Sequence, residues 1–170
     1  MFKLLLELNY NDLENRTTTY MGKERSDKSD KVQITNMSFI PMQANGQLKI
    51  GANTTSNNGH DYWSTIIFSN IVYLNEDEPQ SYTFKAIDNK DYIIEKVPRT
   101  VQCKVSCSCL DFYYRFAVWD HRYQALDGLP PPPYIRKTTT RPDVNPFKTP
   151  GLCKHIMAVV NKLDQEHFFA

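Results

Sequence analysis

Three thiols and one imidazole stand in two tight pairs, Cys107-Ser108-Cys109 and Cys153-Lys154-His155. Sulfur and nitrogen donors of this kind are what a structural zinc takes, four of them in a tetrahedron with no open position. A single residue separates the members of each pair, so each pair can supply half of the tetrahedron with little loss of chain entropy. The set Cys107, Cys109, Cys153 and His155 is therefore read as a complete Zn2+ site. Two rivals stand beside it. Some of the cysteines are small buried hydrophobes, as free cysteines often are, or Cys103 or His121 replaces one of the four. Cys103 itself reads as core, because it shares a strand face with Val101 and Val105.

A closed ligand set argues against catalysis, since a catalytic zinc keeps a position for water. The chain also has no phosphate-binding Gly-rich loop, Gly-x-Ser-x-Gly elbow or His-Glu-x-x-His motif. His60-Asp61, beside Tyr62-Trp63, reads as an ordinary loop histidine. No enzyme is expected.

The elements that must position the ligands follow from periodicity. Val101, Cys103, Val105, Cys107 and Cys109 alternate and would share one face of a strand over Thr100–Cys109, letting Cys107 and Cys109 reach an ion from one side. Phe112, Tyr114, Phe116 and Val118 continue the alternation and predict a second strand. Thr149 as N-cap and Pro150 at the first helical position predict a helix start. Leu152, Ile156, Val159 and Leu163 form its buried stripe. Cys153 and His155 would then lie in the first turn, where the helix dipole favours thiolate.

Upstream, the pattern reads as strands. Phe2, Leu4, Leu6, Leu8 and Tyr10 alternate with mostly polar neighbours. The run 22–31 (GKERSDKSDK) has no apolar residue and predicts an exposed loop. Val32 to Phe39 reads as a strand with one slip of phase, the mark of a bulge. Asn45-Gly46 predicts a hairpin turn, with Leu48 and Ile50 on the returning strand. Residues 62–74 suit a central strand or a bent pair, and 81–97 a hairpin turning at Asp88-Asn89-Lys90. No helix is expected before residue 100. The apolar fraction of 41%, with 10 Tyr, 9 Phe and 2 Trp, is enough for a core dominated by large aromatic side chains.

The order CxC, spacer, CxH opening an apolar helix (CKHIMAVVNKL) is similar to the SWIM-type zinc finger. That resemblance covers roughly the last third of the chain and implies that Cys107, Cys109, Cys153 and His155 are the ligands. The spacer Leu110–Leu152 runs to 43 residues, long for that family. The expectation is an α+β fold, with a β-rich N-terminal sheet or sandwich over 1–98. A zinc-binding strand–helix unit follows over 99–170, carrying a Pro-rich, basic insertion at 128–150.

Two functions are compatible with this layout. SWIM domains are thought of as DNA- or protein-interaction modules, and Arg136, Lys137 and Arg141 make a basic stretch suited to phosphate contacts. The whole-chain net charge of +1 neither favours nor opposes that reading. Alternatively, the Pro-rich arm, the short strands and the lack of a reaction centre suit a structural or interaction protein whose arm docks on subunits of a larger assembly, including copies of itself. The strings CSCLDFYYRF, PPYIRKTTTRP and NPFKTPGLCKHI also resemble, in composition and order, proteins of tailed bacteriophages. That resemblance implies a virion component assembled in the host cytoplasm, with a plain cytoplasmic protein as the alternative. Glu7 interrupts the N-terminal apolar run, so neither a signal peptide nor a membrane span is expected. The thiols should then meet a reducing compartment, where metal binding is favoured over disulfides. The second function, assembly, is the preferred expectation.

Overall fold

The computed structural model describes residues 7–132, 135, 137–138 and 140–170. In chain order the elements are α1 (Tyr10–Met21), α2 (Glu24–Ser29), β1 (Gln33–Met42), β2 (Gln47–Thr55), β3 (Asp61–Phe68), β4 (Tyr73–Leu74), β5 (Ser81–Lys85), β6 (Asp91–Glu95), β7 (Cys103–Cys107), α3 (Leu110–Arg115), α4 (Ala117–Arg122) and α5 (Lys154–Gln165). The fold is α+β. An antiparallel sheet ordered β1-β2-β3-β7 is accompanied by a smaller sheet ordered β4-β6-β5. The larger sheet takes strands from both sides of residue 98.

One face of that sheet makes the core. Ile50, Ile66 and Val105 lie side by side in register across β2, β3 and β7, and all three are wholly buried. Each such side chain contributes about 1.5–3 kcal/mol by leaving water. On the other face Trp63 lies over Gly51, where an added Cβ would come within 2.3 Å of the indole ring. The apolar stripe of α5 covers the core face, with Ile156, Val159 and Leu163 buried, and Leu152 is buried just before the helix. Phe168 and Phe169, just after α5, pack on Phe68, and Phe168 meets Tyr82 of the small sheet. The exposed edge of β7 is covered twice. Leu8 accepts from the Cys103 N–H, and Ala125 accepts from the Val105 N–H.

Several expectations hold. The phase slip in β1 is a bulge between Ile34 and Asn36. Gly46 closes the β1–β2 hairpin in the left-handed conformation at φ 59°, after a 3-10 turn at Gln43–Asn45. Of the two expectations for residues 62–74, the central strand holds: β3 lies between β2 and β7, while β4 joins the smaller sheet, and β5 and β6 make the expected hairpin, with Asn89 at φ 63°.

Others are corrected. Tyr10 opens a helix rather than ending a strand; Phe2, Leu4 and Leu6 lie outside the described residues. Asn9 and Asp12 form a capping box, each side chain accepting from the other's backbone N–H at 2.9 and 3.1 Å. The apolar-free run 22–31 contains α2, held by packing against α5 rather than by any stripe of its own. Phe112 and Phe116 are buried while Tyr114 is 52% exposed, so the residues expected to form a second strand repeat every four and make α3 and the start of α4. Alternation and helical spacing coincide at i and i+4, and burial selects the helix.

Ile66→Ala should cost about 2–5 kcal/mol in urea unfolding, because its site is closed on both sides by neighbouring strands and cannot collapse.

Candidate metal centre

Each ligand is delivered by the end of an element. Cys107 is the last residue of β7 and faces the core with Cys103 and Val105. Cys109 is the N-cap of α3, and its sulfur accepts the Phe112 N–H at 3.3 Å. Cys153 is the N-cap of α5, and His155 lies in its first turn. The helix thus starts at Lys154, four residues beyond the position that Thr149-Pro150 predicts. Two of the three sulfurs therefore sit at the positive end of a helix.

The four side chains converge. Their donor atoms all lie within 4.8 Å of one another, and all four residues are buried. Donors sharing a tetrahedral zinc, at metal distances of about 2.3 Å for sulfur and about 2.0 Å for nitrogen, stand about 3.5–3.8 Å apart. The Cys107 sulfur and His155 Nδ1 are separated by 3.8 Å. The other ring nitrogen, Nε2, is 2.7 Å from the Ser56 hydroxyl. With Nε2–H donating to Ser56, Nδ1 keeps its lone pair turned toward the sulfurs, the usual arrangement for a metal-ligating histidine. The Tyr62 ring packs on the imidazole with centroids 4.6 Å apart, and the Ser64 hydroxyl donates to the Cys107 sulfur at 3.3 Å.

The electrostatics call for a cation. Hydrogen bonds from Cys109 and then Cys153 draw the Cys107 thiol down to about 4, against the opposing effect of burial. Burial, with the same close neighbours, pushes the Cys153 thiol up. One thiolate is thus stabilised by the two remaining thiols, but three thiolates in this space repel one another in a low dielectric. A divalent ion removes the conflict. The donor set and its burial fit Zn2+. Cys103 and His121 are not in the cluster. Cys103 is a core thiol pushed up to about 12 by burial, and His121 is exposed on α4. His60 is likewise an exposed loop residue.

A second set of buried polar groups holds the approach to Cys153. Asn145 Nδ2 donates to the carbonyls of Arg115 and Thr149, both at 2.8 Å, and its Oδ1 accepts from the Thr149 N–H. The Gly151 N–H donates to Asp120 Oδ1 at 2.8 Å, and the Leu152 N–H to the Thr17 hydroxyl at 2.8 Å. Gly151 has no room for a side chain. An added Cβ would lie 2.5 Å from the Thr17 oxygen and 2.7 Å from the Phe116 ring. Asp120 is wholly buried, its Oδ2 has no partner among the described residues, and burial raises its pKa well above the usual carboxylate range. None of Ser56, Asp120, Asn145 or Thr17 announces itself in sequence, because each has a partner 30 to 135 residues away. Of the basic stretch, Lys137 and Arg141 are exposed and not part of this site, and Arg136 lies outside the described residues.

The family model of the SWIM zinc finger matches residues 147–164, which take in Cys153, His155 and most of α5 but stop short of Cys107 and Cys109. No curated protein and no solved structure matches the chain. The tailed-bacteriophage resemblance and the virion reading drawn from it therefore have no support beyond composition and order. No helix among the described residues is long and apolar enough to cross a membrane.

Ser56→Ala should weaken zinc binding about 10–100-fold in a competition titration with a chromophoric chelator. In the same assay His155→Ala should lower the affinity further and lower the thermal midpoint. An unchanged midpoint would show that the cluster does not stabilise this fold. Asp120 supplies a pH test. Its folded-state pKa lies above the unfolded value of about 3.9, so its contribution is lost as pH rises from about 4 through the raised value. Wild type should decline relative to Asp120→Asn across that window in paired urea titrations, and the difference should level off above it.

Proposed function

We propose that this chain is a non-enzymatic interaction protein whose zinc is structural, and that residues 128–150 form a docking arm. The carrying observation is the meeting of Cys107 and Cys109 with Cys153 and His155 in one buried cluster. That cluster closes the 43-residue span between the pairs into a loop rooted at a single point. A Cys3His set uses all four positions of a tetrahedral zinc, so the metal clamps β7 and α3 to α5 and offers no place for substrate.

The arm leaves this closed loop with apolar side chains outward. Leu129 is 94% exposed, Ile135 82% and Phe147 59%, and Phe147 meets the Tyr20 ring at 5.1 Å. Leaving such residues in water gives up burial energy that a partner's surface would recover. Prolines 130–132 keep the chain extended at little entropic cost on docking. The root is firm, because Asn145 is buried and the Arg115 guanidinium donates to the Val144 carbonyl. A protein subunit, including another copy of this chain, is the occupant that the apolar surface suits. The arm's own basic residues favour nucleic acid less, since they alternate with this exposed apolar set.

Deleting Pro130–Thr140 tests the assignment. Native mass spectrometry should show a multi-chain complex for wild type and zinc-bearing monomers for the deletion. Equal association of the two forms would remove the arm from the interaction.

A further inference from the structure

The metal cluster is not sealed by protein on every side. A cleft of about 450 Å3 opens over Cys109, Cys153 and His155, between α2, the start of α3, the start of α5 and the β2–β3 loop. A second cleft of about 220 Å3 adjoins it, and Lys28 and Lys154 line both. Together the walls carry five cations against two carboxylates. Both carboxylates are engaged within the wall. Asp111 is shared by Arg25 and Arg115 at 2.9 Å each, and Glu24 pairs with Lys28. Lys31 and Lys154 have no ion-pair partner among the described residues.

The cations are spread along both clefts. Arg25 and Arg115 line only the larger cleft, Lys28 and Lys154 line the junction, and Lys31 lines only the smaller cleft. Asn57 and Asn58, from the β2–β3 loop, add neutral hydrogen-bonding side chains, and Tyr62 adds an aromatic ring. A small anion is best held by cations converging on one point, whereas a row of them in an open groove matches a chain of regularly spaced phosphates. Clefts of these volumes can enclose a few nucleotides of one strand but not a duplex. We infer that this groove, and not the basic stretch of the arm, binds a single-stranded nucleic acid through its phosphodiester backbone. The clamp beneath has a clear part in this. It fixes the start of α5 against α3 and so sets the spacing of Lys154 from Arg115. Recognition of this kind is electrostatic and tolerant of sequence.

The test is fluorescence anisotropy of the zinc-loaded full chain with a labelled 12-nucleotide DNA strand of mixed sequence, repeated with the RNA strand and with duplex. Expected is binding of single strands in preference to duplex. The salt dependence should have a log–log slope of about −2 to −3, from about 0.7 per phosphate neutralised. Lys28→Glu/Lys31→Glu/Lys154→Glu should weaken binding more than tenfold near 50 mM salt and bring the slope toward zero. Lys28→Ala/Lys31→Ala, which leaves α5 and the ligands untouched, should give a smaller loss in the same direction and full zinc content. Lys137→Ala/Arg141→Ala should bind like wild type. The inference is overturned if wild type fails to bind either strand, or if the arm variant loses affinity while the groove variants keep it. It is also overturned if the groove variants change only sedimentation, which would make the groove a contact between copies.

Discussion

Three thiols and an imidazole from two distant stretches occupy a space in which their donor atoms all lie within 4.8 Å of one another. Without a cation that arrangement opposes itself, because only one sulfur can ionise with help from its neighbours. With a divalent ion the same crowding becomes four metal–ligand bonds. Metal-binding free energy of this kind is folding free energy when the site does not exist in the unfolded chain. The rest of the C-terminal region is arranged around that fact. Two helices begin at ligand sulfurs, and β7 ends at one.

The surrounding polar groups make the cluster specific as well as stable. Ser56 fixes which imidazole nitrogen faces the sulfurs. Asp120, Thr17 and Asn145 satisfy the backbone of the segment running into Cys153, where neither sheet nor helix can do so. Gly151 lets that segment pass against Phe116 and Thr17, an approach any side chain would block. Asp120 is the costly member, since a buried carboxyl with one unpartnered oxygen is tolerated for the hydrogen bond its other oxygen makes.

Two surfaces of different character lie beside this centre. One is the closed loop, where the exposed Leu129, Ile135 and Phe147 stand among the exposed Lys137 and Arg141. The other is a groove framed by α2 and the start of α5, whose charge is mainly positive. The near-neutral whole-chain charge conceals this division, because the acidic residues are placed elsewhere or consumed in ion pairs.

The sequence by itself determined the ligand set as a proposal, the α+β class, the β1–β2 and β5–β6 hairpins and the buried stripe of α5. In each case the signal is local: spacing of one residue, alternation along a strand, a turn dipeptide, an i, i+3, i+4 repeat. Local signals failed where two periods coincide, as at Phe112 and Phe116, or where a polar segment folds only because another element covers it, as α2 does against α5. The capping box of Asn9 and Asp12 was legible but outweighed by an alternation that ends at the helix it starts. Tertiary structure alone decided that Ser56 turns the histidine, that Asp120 and Thr17 hold the chain before Cys153, and that Lys28, Lys31 and Lys154 form one groove. Those relations join residues as much as 135 positions apart. Distances of that kind are set by packing and by the cost of unpaired buried polar groups, neither of which is written in neighbouring residues.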